Sequence, residues 1–400
     1  MGGARQGRRE RSYPTDTGAT EDAASRRPAR PEDTGDRSGS GLGREDVVVV
    51  GISLLTLVPG VVGGSETYAR ELCRGLARVG ELDYRVFAPT IAEDAADGLE
   101  SRVVRGYPAS FSTPGRMRAM AGSIVLGGRL RRELGLDELD ALHFPLSVML
   151  PLVSRPAAAT TILDLQHEFL PENFPRWELA YRRALYGASA RRSRIVIAIS
   201  EHARETLVER LSLDPDRVRT IHLGVDLERF AAADVPREPF LLYPANAWPH
   251  KNHERLFEAV ALLRREHRDL RLVLTGEHAD VPDYVDARGR VSHDELIDLY
   301  RRASALVFPS LYEGFGQPVL EALACACPVA CSDVPPLREI AGDAAVYFDP
   351  LDPESIAAAT LEAIARGGAS GPERASRFTW DACARKHDAV YRELVSAGRV

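Results

Sequence analysis

Short apolar runs alternate with segments of helical periodicity along most of this chain, and this alternation restricts its fold more than any other feature. The first run, residues 47–53, is continuous and bounded by turn signals, which is typical of a buried strand in a parallel sheet. A glycine-containing loop follows, and apolar residues then recur at helical spacing at Ala69, Leu72, Cys73, Leu76 and Val79. Ser65 is placed to cap that helix. The segment therefore predicts a strand, a glycine loop and a helix.

The same unit recurs along the chain. Further strands are predicted at residues 84–88, 157–165, 195–199, 218–222, 240–244, 270–275, 303–309, 328–331 and 344–348. Helices are predicted at residues 177–190, 202–211, 296–302 and 355–365, with two more starting near Asn252 and Pro318. Repeated βα units give parallel sheets covered by helices on both faces. We therefore predict an α/β protein with two Rossmann-like parallel-sheet domains facing a central cleft, where ligands bind beyond the carboxyl ends of the strands.

Composition sets the domain boundaries. Residues 1–45 contain nine Arg, eight acidic residues and few large apolar side chains, which predicts a disordered tail. The turn-rich residues 236–239 separate two folded parts of similar size. We predict a first domain at residues 46–232 and a second at residues 233–377.

Charge and cysteine content exclude several classes of protein. The formal net charge of −7 gives no general basic field, so nucleic-acid binding is not expected. No apolar run is long enough to span a membrane, and the amino terminus lacks the apolar segment of a secretory signal. Five cysteines, an odd number, fit a reducing cytoplasm and no metal site. The basic apolar stretch at residues 116–132 leaves open a half-buried helix or peripheral attachment at the inner face of the plasma membrane.

Residues 311–322 carry the strongest chemical signal. Gly314 and Gly316 allow close approach of a ligand to the backbone, and the helix start near Val319 offers free N–H groups to an anion. Glu313 in the loop and Glu321 in the first helical turns can accept hydrogen bonds from hydroxyl groups. The pattern therefore suits a phosphate flanked by two hydroxylated rings. The alternative is an ordinary helix start with acidic residues near its amino end.

A second polar segment precedes another predicted helix. The chain has 51 Lys and Arg together, and only two of them, Lys251 and Lys386, are lysines. A lysine retained in so arginine-rich a chain suggests a need for a compact point charge. Lys251 lies beside a helix start, where its charge and the helix dipole act on one anion.

Two weaker signals lie in the first domain. Gly63 and Gly64 form a glycine turn that fits a phosphate loop but equally fits a tight strand–helix connection. His167 follows a predicted strand within the string Asp-Leu-Gln-His, so it is placed to contact a substrate hydroxyl or phosphate. A histidine in a loop is also often simply solvated.

Together these strings resemble glycosyltransferase family 4, which has the GT-B fold, over about residues 47–396. The segment Glu313-Gly-Phe-Gly…Glu321 matches the family's paired glutamates, and Lys251-Asn matches its helix start. The resemblance implies that residues 378–400 form a closing helix that crosses back to the first domain. It also implies retaining transfer of a sugar from a nucleotide-diphosphate donor linked to GDP, UDP or dTDP, without an obligatory metal or other cofactor.

The resemblance assigns roles residue by residue. Glu313 would contact donor-sugar hydroxyls, Lys251 would neutralise the leaving phosphate, and Glu321 would hold the ribose. Backbone groups at Gly63, Gly64, Gly314, Phe315, Gly316, Pro318 and Val319 would surround the sugar and the diphosphate.

This chain departs from the family pattern at two points. Asn246 stands near the position of a usual arginine, and Leu163 stands where a histidine is common, so Asn246 and His167 are candidate substitutes.

We therefore predict a metal-independent hexosyltransferase, with mannose favoured as the sugar and a saccharide or lipid-linked acceptor in polysaccharide biosynthesis. The sequence also allows a non-catalytic nucleotide-sugar binder, or a protein that uses this fold only for assembly.

Overall fold

The computed structural model describes residues 48–60, 63–125, 127–278 and 280–398. The predicted disordered tail, residues 1–45, lies outside the described residues. Within them, the strands form two wholly parallel sheets, which confirms the predicted α/β architecture.

The first sheet has seven strands in the order β3-β2-β1-β4-β5-β6-β7. Their bounds are β1 Val49–Ser53, β2 Asp83–Ala88, β3 Glu100–Val103, β4 Ala141–Phe144, β5 Ala157–Ile162, β6 Ile195–Ala198 and β7 Val218–Thr220. Its helices are α1 Gly63–Val79, α2 Thr113–Val125, α3 Gly127–Glu133, α4 Gln166–Phe169, α5 Arg176–Arg192 and α6 Glu201–Leu211. The central strands are almost completely buried because helices cover both faces of the sheet.

The second sheet has six strands in the order β10-β9-β8-β11-β12-β13. Their bounds are β8 Glu238–Pro244, β9 Arg271–Thr275, β10 Val285–Ala287, β11 Ala303–Phe308, β12 Val329–Ser332 and β13 Val346–Phe348. The helices that follow are α7 His253–Leu263, α8 His293–Arg302, α9 Gln317–Ala324, α10 Pro335–Ala341, α11 Pro353–Arg366, α12 Gly371–Ala375 and α13 Trp380–Gly398. In both sheets the strand order reverses at the centre, between β1 and β4 and between β8 and β11, and such reversals create a crevice for ligands.

The last helix, α13, packs against α1 and against β5 of the first sheet. A Cβ added to Gly75 of α1 would stand 2.9 Å from the Cβ of Ala384, so the absence of a side chain allows the two helices to approach closely. The chain thus leaves the second sheet and returns to the first.

Several local predictions need correction. Ser65 does not cap α1, because the helix already includes Gly63 and Gly64. Asn252 does precede α7, but it has a left-handed backbone (φ 59°) and its side chain caps no N–H of that helix. Three strands, β3, β4 and β10, were not predicted. The strands β3 and β10 lie at sheet edges and contain polar residues, and β4 continues into further apolar residues after Phe144.

Other local predictions are confirmed. Ser292 caps α8 by accepting a hydrogen bond from the backbone N–H of Glu295, and Pro318 lies in the first turn of α9. Cys325, Cys327 and Cys331 are buried and unpaired.

The basic stretch at residues 116–132 forms α2 and most of α3. Ala119 and Leu130 of these helices are buried in an apolar cluster with Tyr107 and Leu134. This packing favours the half-buried helix among the two alternatives. Among the described residues, no helix combines the length and apolar character needed to cross a bilayer.

Candidate functional site

Loops from the carboxyl ends of both sheets meet at one place. Leu165 follows β5 and Tyr312 follows β11. The backbone N–H of Leu165 donates a hydrogen bond to the hydroxyl of Tyr312 at 3.2 Å. The hydroxyl of Ser200 donates to the carbonyl of Gly314 at 2.8 Å. A Cβ on Gly314 would stand only 2.7 Å from the carbonyl oxygen of Leu163, so the glycine permits this close approach of the two halves. The residues around this junction form the candidate site.

Lys251 and Glu313 form an ion pair in the site. The Lys251 Nζ lies 2.5 Å from Oε1 of Glu313, and the two side chains are 13% and 12% exposed. The ammonium also lies 5.3 Å from the ring centroid of Phe308 at the end of β11. Both predicted residues therefore lie together, and Lys251 points into the site and not towards bulk solvent.

The backbone around Lys251 is held by its neighbours. Residues Pro249–Lys251 form a 3₁₀ turn directly after the β8 loop. The hydroxyl of Tyr243 donates to the Lys251 carbonyl at 2.8 Å. The Asn252 amide donates to the carbonyls of Pro309 and Pro350 at 3.1 and 2.7 Å, which ties this turn to the loops after β11 and β13. The ion pair is thus built on a braced backbone.

Asp164 is a site residue that the sequence did not single out. It follows β5, and its Cβ lies 3.2 Å from where a Cβ on Gly314 would stand. Burial raises the pKa of Asp164, although a hydrogen bond from the Gln166 backbone and the nearby charges of Arg182 and Lys251 oppose that change. The sequence did place Asp164 in the polar string after this strand, but a single carboxylate in a loop has no spacing pattern that distinguishes it from its neighbours.

The start of α9 has the geometry expected of an anion site. Gly316 precedes the helix with φ +106°, a conformation that side chains disfavour, and Pro318 occupies its first turn. The leading N–H groups of a helix carry a partial positive charge. The Phe315 ring is buried against His222 and Phe378, so only its backbone is available to a ligand.

Glu321 lies one turn further along α9. The Tyr300 hydroxyl donates to its carboxylate at 3.0 Å. Burial raises the pKa of Glu321 to about 7, and the bond from Tyr300 acts in the opposite direction. This carboxyl group can therefore take either protonation state near neutral pH, and it can exchange hydrogen bonds with hydroxyl groups in both.

Two further predicted ligands border the site. The Asn246 side-chain oxygen accepts a hydrogen bond from the backbone N–H of Glu277 at 3.2 Å, which joins the β8 and β9 loops. Gly63 and Gly64 begin α1, and a Cβ added at either position would meet no atom within 4 Å. A side chain at either position would therefore meet no obstacle among the described residues outside the helix itself.

His167 lies in α4, and it is not solvated. Its side chain is 1% exposed and packs edge-on against Tyr186 and Phe174. Burial lowers its pKa to about 4, so the ring is neutral at physiological pH. Its Nδ1 has no hydrogen-bond partner among the described residues. A catalytic role for His167 remains a prediction.

Several segments that lead into the site carry buried polar atoms without a hydrogen-bond partner among the described residues. Buried side-chain atoms without a partner among the described residues include Nε2 of Gln166, Nδ1 of His167, Nε2 of His253 and Oε1 of Gln317. These residues lie on the segments that follow β5, β8 and β11. Buried polar groups are normally paired, so atoms left free here are available to a ligand. No three His, Cys, Asp or Glu side chains of the described ranges are grouped as a metal site.

Comparison with known proteins identifies the family. The model for glycosyltransferase family 4 matches residues 62–229, and the model for glycosyl transferases group 1 matches residues 225–379. The chain belongs to glycosyltransferase family 4. This result confirms the resemblance found in the sequence, and it makes the protein a glycosyltransferase.

Several relatives act in polysaccharide or glycoside synthesis. The O-antigen chain mannosyltransferase B of Escherichia coli is 28% identical over 273 residues, which cover 59% of this chain and 70% of the relative. A D-inositol 3-phosphate glycosyltransferase of Catenulispora acidiphila is 28% identical over 396 residues, which cover 85% of this chain and 93% of the relative.

Solved structures agree on the GT-B fold. A sucrose-phosphate synthase of Thermosynechococcus elongatus aligns with a TM-score of 0.70 at 20% identity, over 88% of this chain and all of the other. The structure of Anabaena HepE in complex with UDP and glucose aligns with a TM-score of 0.65 at 13% identity, over 86% of this chain and all of the other. The predicted GT-B architecture is therefore confirmed.

Proposed function

We propose that this glycosyltransferase moves a hexose, with mannose favoured, from a nucleoside diphosphate sugar to a saccharide or lipid-linked acceptor with retention at the anomeric carbon. The observation that carries the proposal is the ion pair of Lys251 with Glu313, beside the start of α9. It brings an ammonium, a carboxylate and the leading amides of a helix to one point. The mannosyltransferase relatives support the choice of sugar.

The donor diphosphate would lie between the glycine turn and α9. Backbone N–H groups at Gly63 and Gly64 would face it from one side, and those at Phe315, Gly316 and Val319 from the other. Lys251 would release Glu313 and bind the phosphate, so that its charge stabilises the nucleoside diphosphate as the bond to the sugar breaks. Because Lys251 is only partly exposed, its charge is weakly screened and acts strongly on that phosphate.

The carboxylates would hold the two sugar rings. Glu313, once Lys251 has turned to the phosphate, would accept hydrogen bonds from hydroxyls of the donor hexose. Glu321 would accept them from the ribose, with Tyr300 fixing its orientation. Asn246 would border the diphosphate, and His167 would offer a neutral ring nitrogen to a hydroxyl of the transferred sugar.

The configuration at the anomeric carbon would be retained because the acceptor attacks the same face of the sugar from which the leaving group departs. In such a step the acceptor oxygen bonds to the anomeric carbon as the bond to the diphosphate oxygen breaks. The acceptor proton passes to that departing oxygen, so no carboxylate nucleophile is needed. We propose no metal or other cofactor, a cytoplasmic location, and an acceptor that the enzyme meets in solution or at the inner face of the plasma membrane.

The two lysines of the chain provide a matched test. We expect Lys251→Ala to reduce transfer on the order of a hundredfold or more, as for loss of one preorganised charge stabiliser. Lys386→Ala is the control, since Lys386 is exposed on α13. Transfer should be measured with GDP-mannose, UDP-glucose and a dTDP sugar, together with the thermal shift that each donor produces. Full activity of Lys251→Ala would refute the proposal, and donor binding without any transfer would favour the non-catalytic binder.

A further inference from the structure

The charges at the site do not balance a diphosphate. Lys251 is paired with Glu313, and Asp164 lies close to the same junction. One ammonium therefore already faces two carboxyl groups before any ligand arrives. A donor diphosphate adds further negative charge, and charges brought together in a partly buried site need compensation. A second cation beside the backbone N–H groups would offset this charge.

Two nearby arginines are already committed to carboxylates. Arg182 contacts Glu178 at 2.8 Å and packs over the ring of Phe174. Arg288 contacts Asp286 at 3.0 Å and Glu295 at 3.5 Å. Neither guanidinium is free to move to a phosphate without losing these partners.

Arg290 is placed differently. Its carboxylate neighbour is Glu277, with 3.8 Å between Nε and Oε1, and the two side chains are 61% and 82% exposed. An ion pair this long and this exposed contributes little free energy. The guanidinium of Arg290 can therefore exchange Glu277 for a phosphate at small cost.

The side chain of Arg290 reaches from the second half of the molecule to the glycine loop of the first. Its Nη1 lies 3.2 Å from where a Cβ on Gly60 would stand. Gly60 belongs to the loop between β1 and α1, and its N–H donates to Glu66 at 2.7 Å. This loop leads into Gly63 and Gly64, which the proposed function places against the diphosphate.

The backbone that carries Arg290 is anchored to the same site. Gly289 forms a bridge with Gly276, whose N–H donates to the Gly289 carbonyl at 2.7 Å. The next N–H, that of Glu277, donates to the side chain of Asn246. Arg290 is thus fixed at its base to the loop that follows β8, while its guanidinium lies beside Gly60 of the first half.

We propose that Arg290 is a ligand of the donor diphosphate and supplies the second positive charge to the departing nucleoside diphosphate. The inference rests on the proposed function and extends it to a residue of the β10–α8 connection. The planar guanidinium can donate two hydrogen bonds to one phosphate, a geometry that the ammonium of Lys251 cannot provide.

Titration calorimetry with GDP, GMP, UDP and UMP tests this assignment, with Arg290→Ala, Arg290→Lys and the control Arg288→Ala. For the diphosphate that the wild-type protein binds, we expect Arg290→Ala to weaken binding about 10- to 100-fold, as for a lost charged hydrogen bond. The matching monophosphate should bind both proteins alike, since it lacks the second phosphate. Arg290→Lys should retain part of the affinity, and Arg288→Ala should match the wild type.

The outcomes separate this inference from the proposed function. A wild-type protein that binds neither GDP nor UDP would overturn both. If Arg290→Ala binds the diphosphate as tightly as the wild-type protein does, only the assignment of Arg290 is overturned. An equal loss of monophosphate and diphosphate binding would also overturn it, because Arg290 would then contact the nucleoside or its first phosphate and not the second phosphate that carries the sugar.

Discussion

Polar side chains are gathered at two places in this molecule, and the two places differ in whether their hydrogen bonds are complete. One is a series of hydrogen-bonded side chains that connects the first sheet, α1 and α13, and we call it the closing-helix network. Its members are all buried: Tyr68, His143, Thr161, His387 and Tyr391. The other is the candidate site, where the Lys251–Glu313 pair lies among unsatisfied polar atoms.

The donors and acceptors of the closing-helix network can be assigned in one consistent way. Nδ1 of His387 faces the Cys383 carbonyl at 2.9 Å, so it carries the proton and Nε2 accepts. Tyr68 must then donate to His387 at 2.9 Å and accept from Thr161 at 2.8 Å. Thr161 in turn accepts from Nε2 of His143 at 2.8 Å.

The far end of the network closes in the same way. Nδ1 of His143 accepts from the Tyr391 hydroxyl at 2.8 Å. Every one of these polar side chains thus has a partner, with both histidines neutral.

The comparison shows what each cluster is suited to do. A saturated network offers nothing to a ligand, and it fixes how helices and strands pack. A charged cluster with free donors and acceptors is poorly satisfied by itself, which fits the proposed role of binding a substrate. We therefore expect substitutions in the site to reduce activity more than stability, and substitutions in the network to do the reverse.

The largest effect is expected for Glu313→Gln. The amide keeps the size of the side chain but removes the charge that pairs with Lys251, and it weakens the proposed contact with the donor sugar. We expect kcat/KM to fall about a hundredfold, while the free energy of unfolding should change less because the amide oxygen can still accept a hydrogen bond from the Lys251 ammonium. Transfer assays and urea denaturation measure the two quantities. A large loss of stability with nearly normal activity would reverse the comparison.

Two buried groups, Glu321 of the site and His387 of the network, should respond to pH in opposite directions. Burial raises the pKa of Glu321 to about 7, so the folded protein holds a proton that the unfolded chain has lost. Its contribution to stability is complete below pH 4.5 and disappears as the pH rises through 7. Burial lowers the pKa of His387 to about 4, so its contribution is complete above pH 6.5 and disappears as the pH falls through 4.

Glu321→Gln separates these contributions. Relative to the wild type, the free energy of unfolding of the variant should increase by up to about 3 kcal/mol as the pH rises from 4.5 to 7 and above, because glutamine does not ionise. The loss of stability on acidification from pH 6.5 to 4 should persist, since it comes from buried histidines such as His387 of the network and His167 of the site. Urea unfolding at several pH values measures both slopes. A variant whose profile is parallel to that of the wild type would contradict the assignment to Glu321.

A smaller effect is expected for Tyr68→Phe. Removing the hydroxyl leaves Nε2 of His387 and the Thr161 hydroxyl without their partner in a buried place. The free energy of unfolding should fall by about 1–3 kcal/mol, while kcat should stay close to the wild-type value. Thermal or urea denaturation and a transfer assay on the same preparation provide the test. A fall in kcat without loss of stability would place Tyr68 with the site and not with the network.

The sequence predicted the site better than the network, and the reason is local. Lys251 and Glu313 each follow an apolar strand and precede a helix, so chain order alone brings both to the carboxyl edge of one sheet. Tyr68 and His387 are separated by 319 positions, and no spacing rule connects them. His143 lies on β4, a four-residue strand too short to show a period.

Continuous apolar runs made most of the fold predictable, and strands without such a run were missed. Long apolar runs such as β8 and β11 are buried on both faces and are visible as continuous segments. The strand β3, with the residues Glu-Ser-Arg-Val, lies at the edge of its sheet and is partly solvated, so polar residues are tolerated there. Its position is set by pairing with β2 and not by its own composition.

The smallest effect is expected where α1 and α13 meet at the surface. Arg78 of α1 contacts Asp381 of α13 at 2.7 Å, but the two side chains are 51% and 36% exposed. Solvent screens such a pair, and holding two long side chains in one geometry costs entropy. Arg78→Ala should therefore lower the free energy of unfolding by less than about 1 kcal/mol.

Comparison of Arg78→Ala with Tyr68→Phe sharpens the role of burial, since both substitutions remove one link between the same two helices. Urea denaturation at low and high salt should show a salt-dependent difference for Arg78→Ala and none for Tyr68→Phe. If Arg78→Ala proved the more damaging of the two, the attachment of α13 would depend on its exposed charges and not on the buried network.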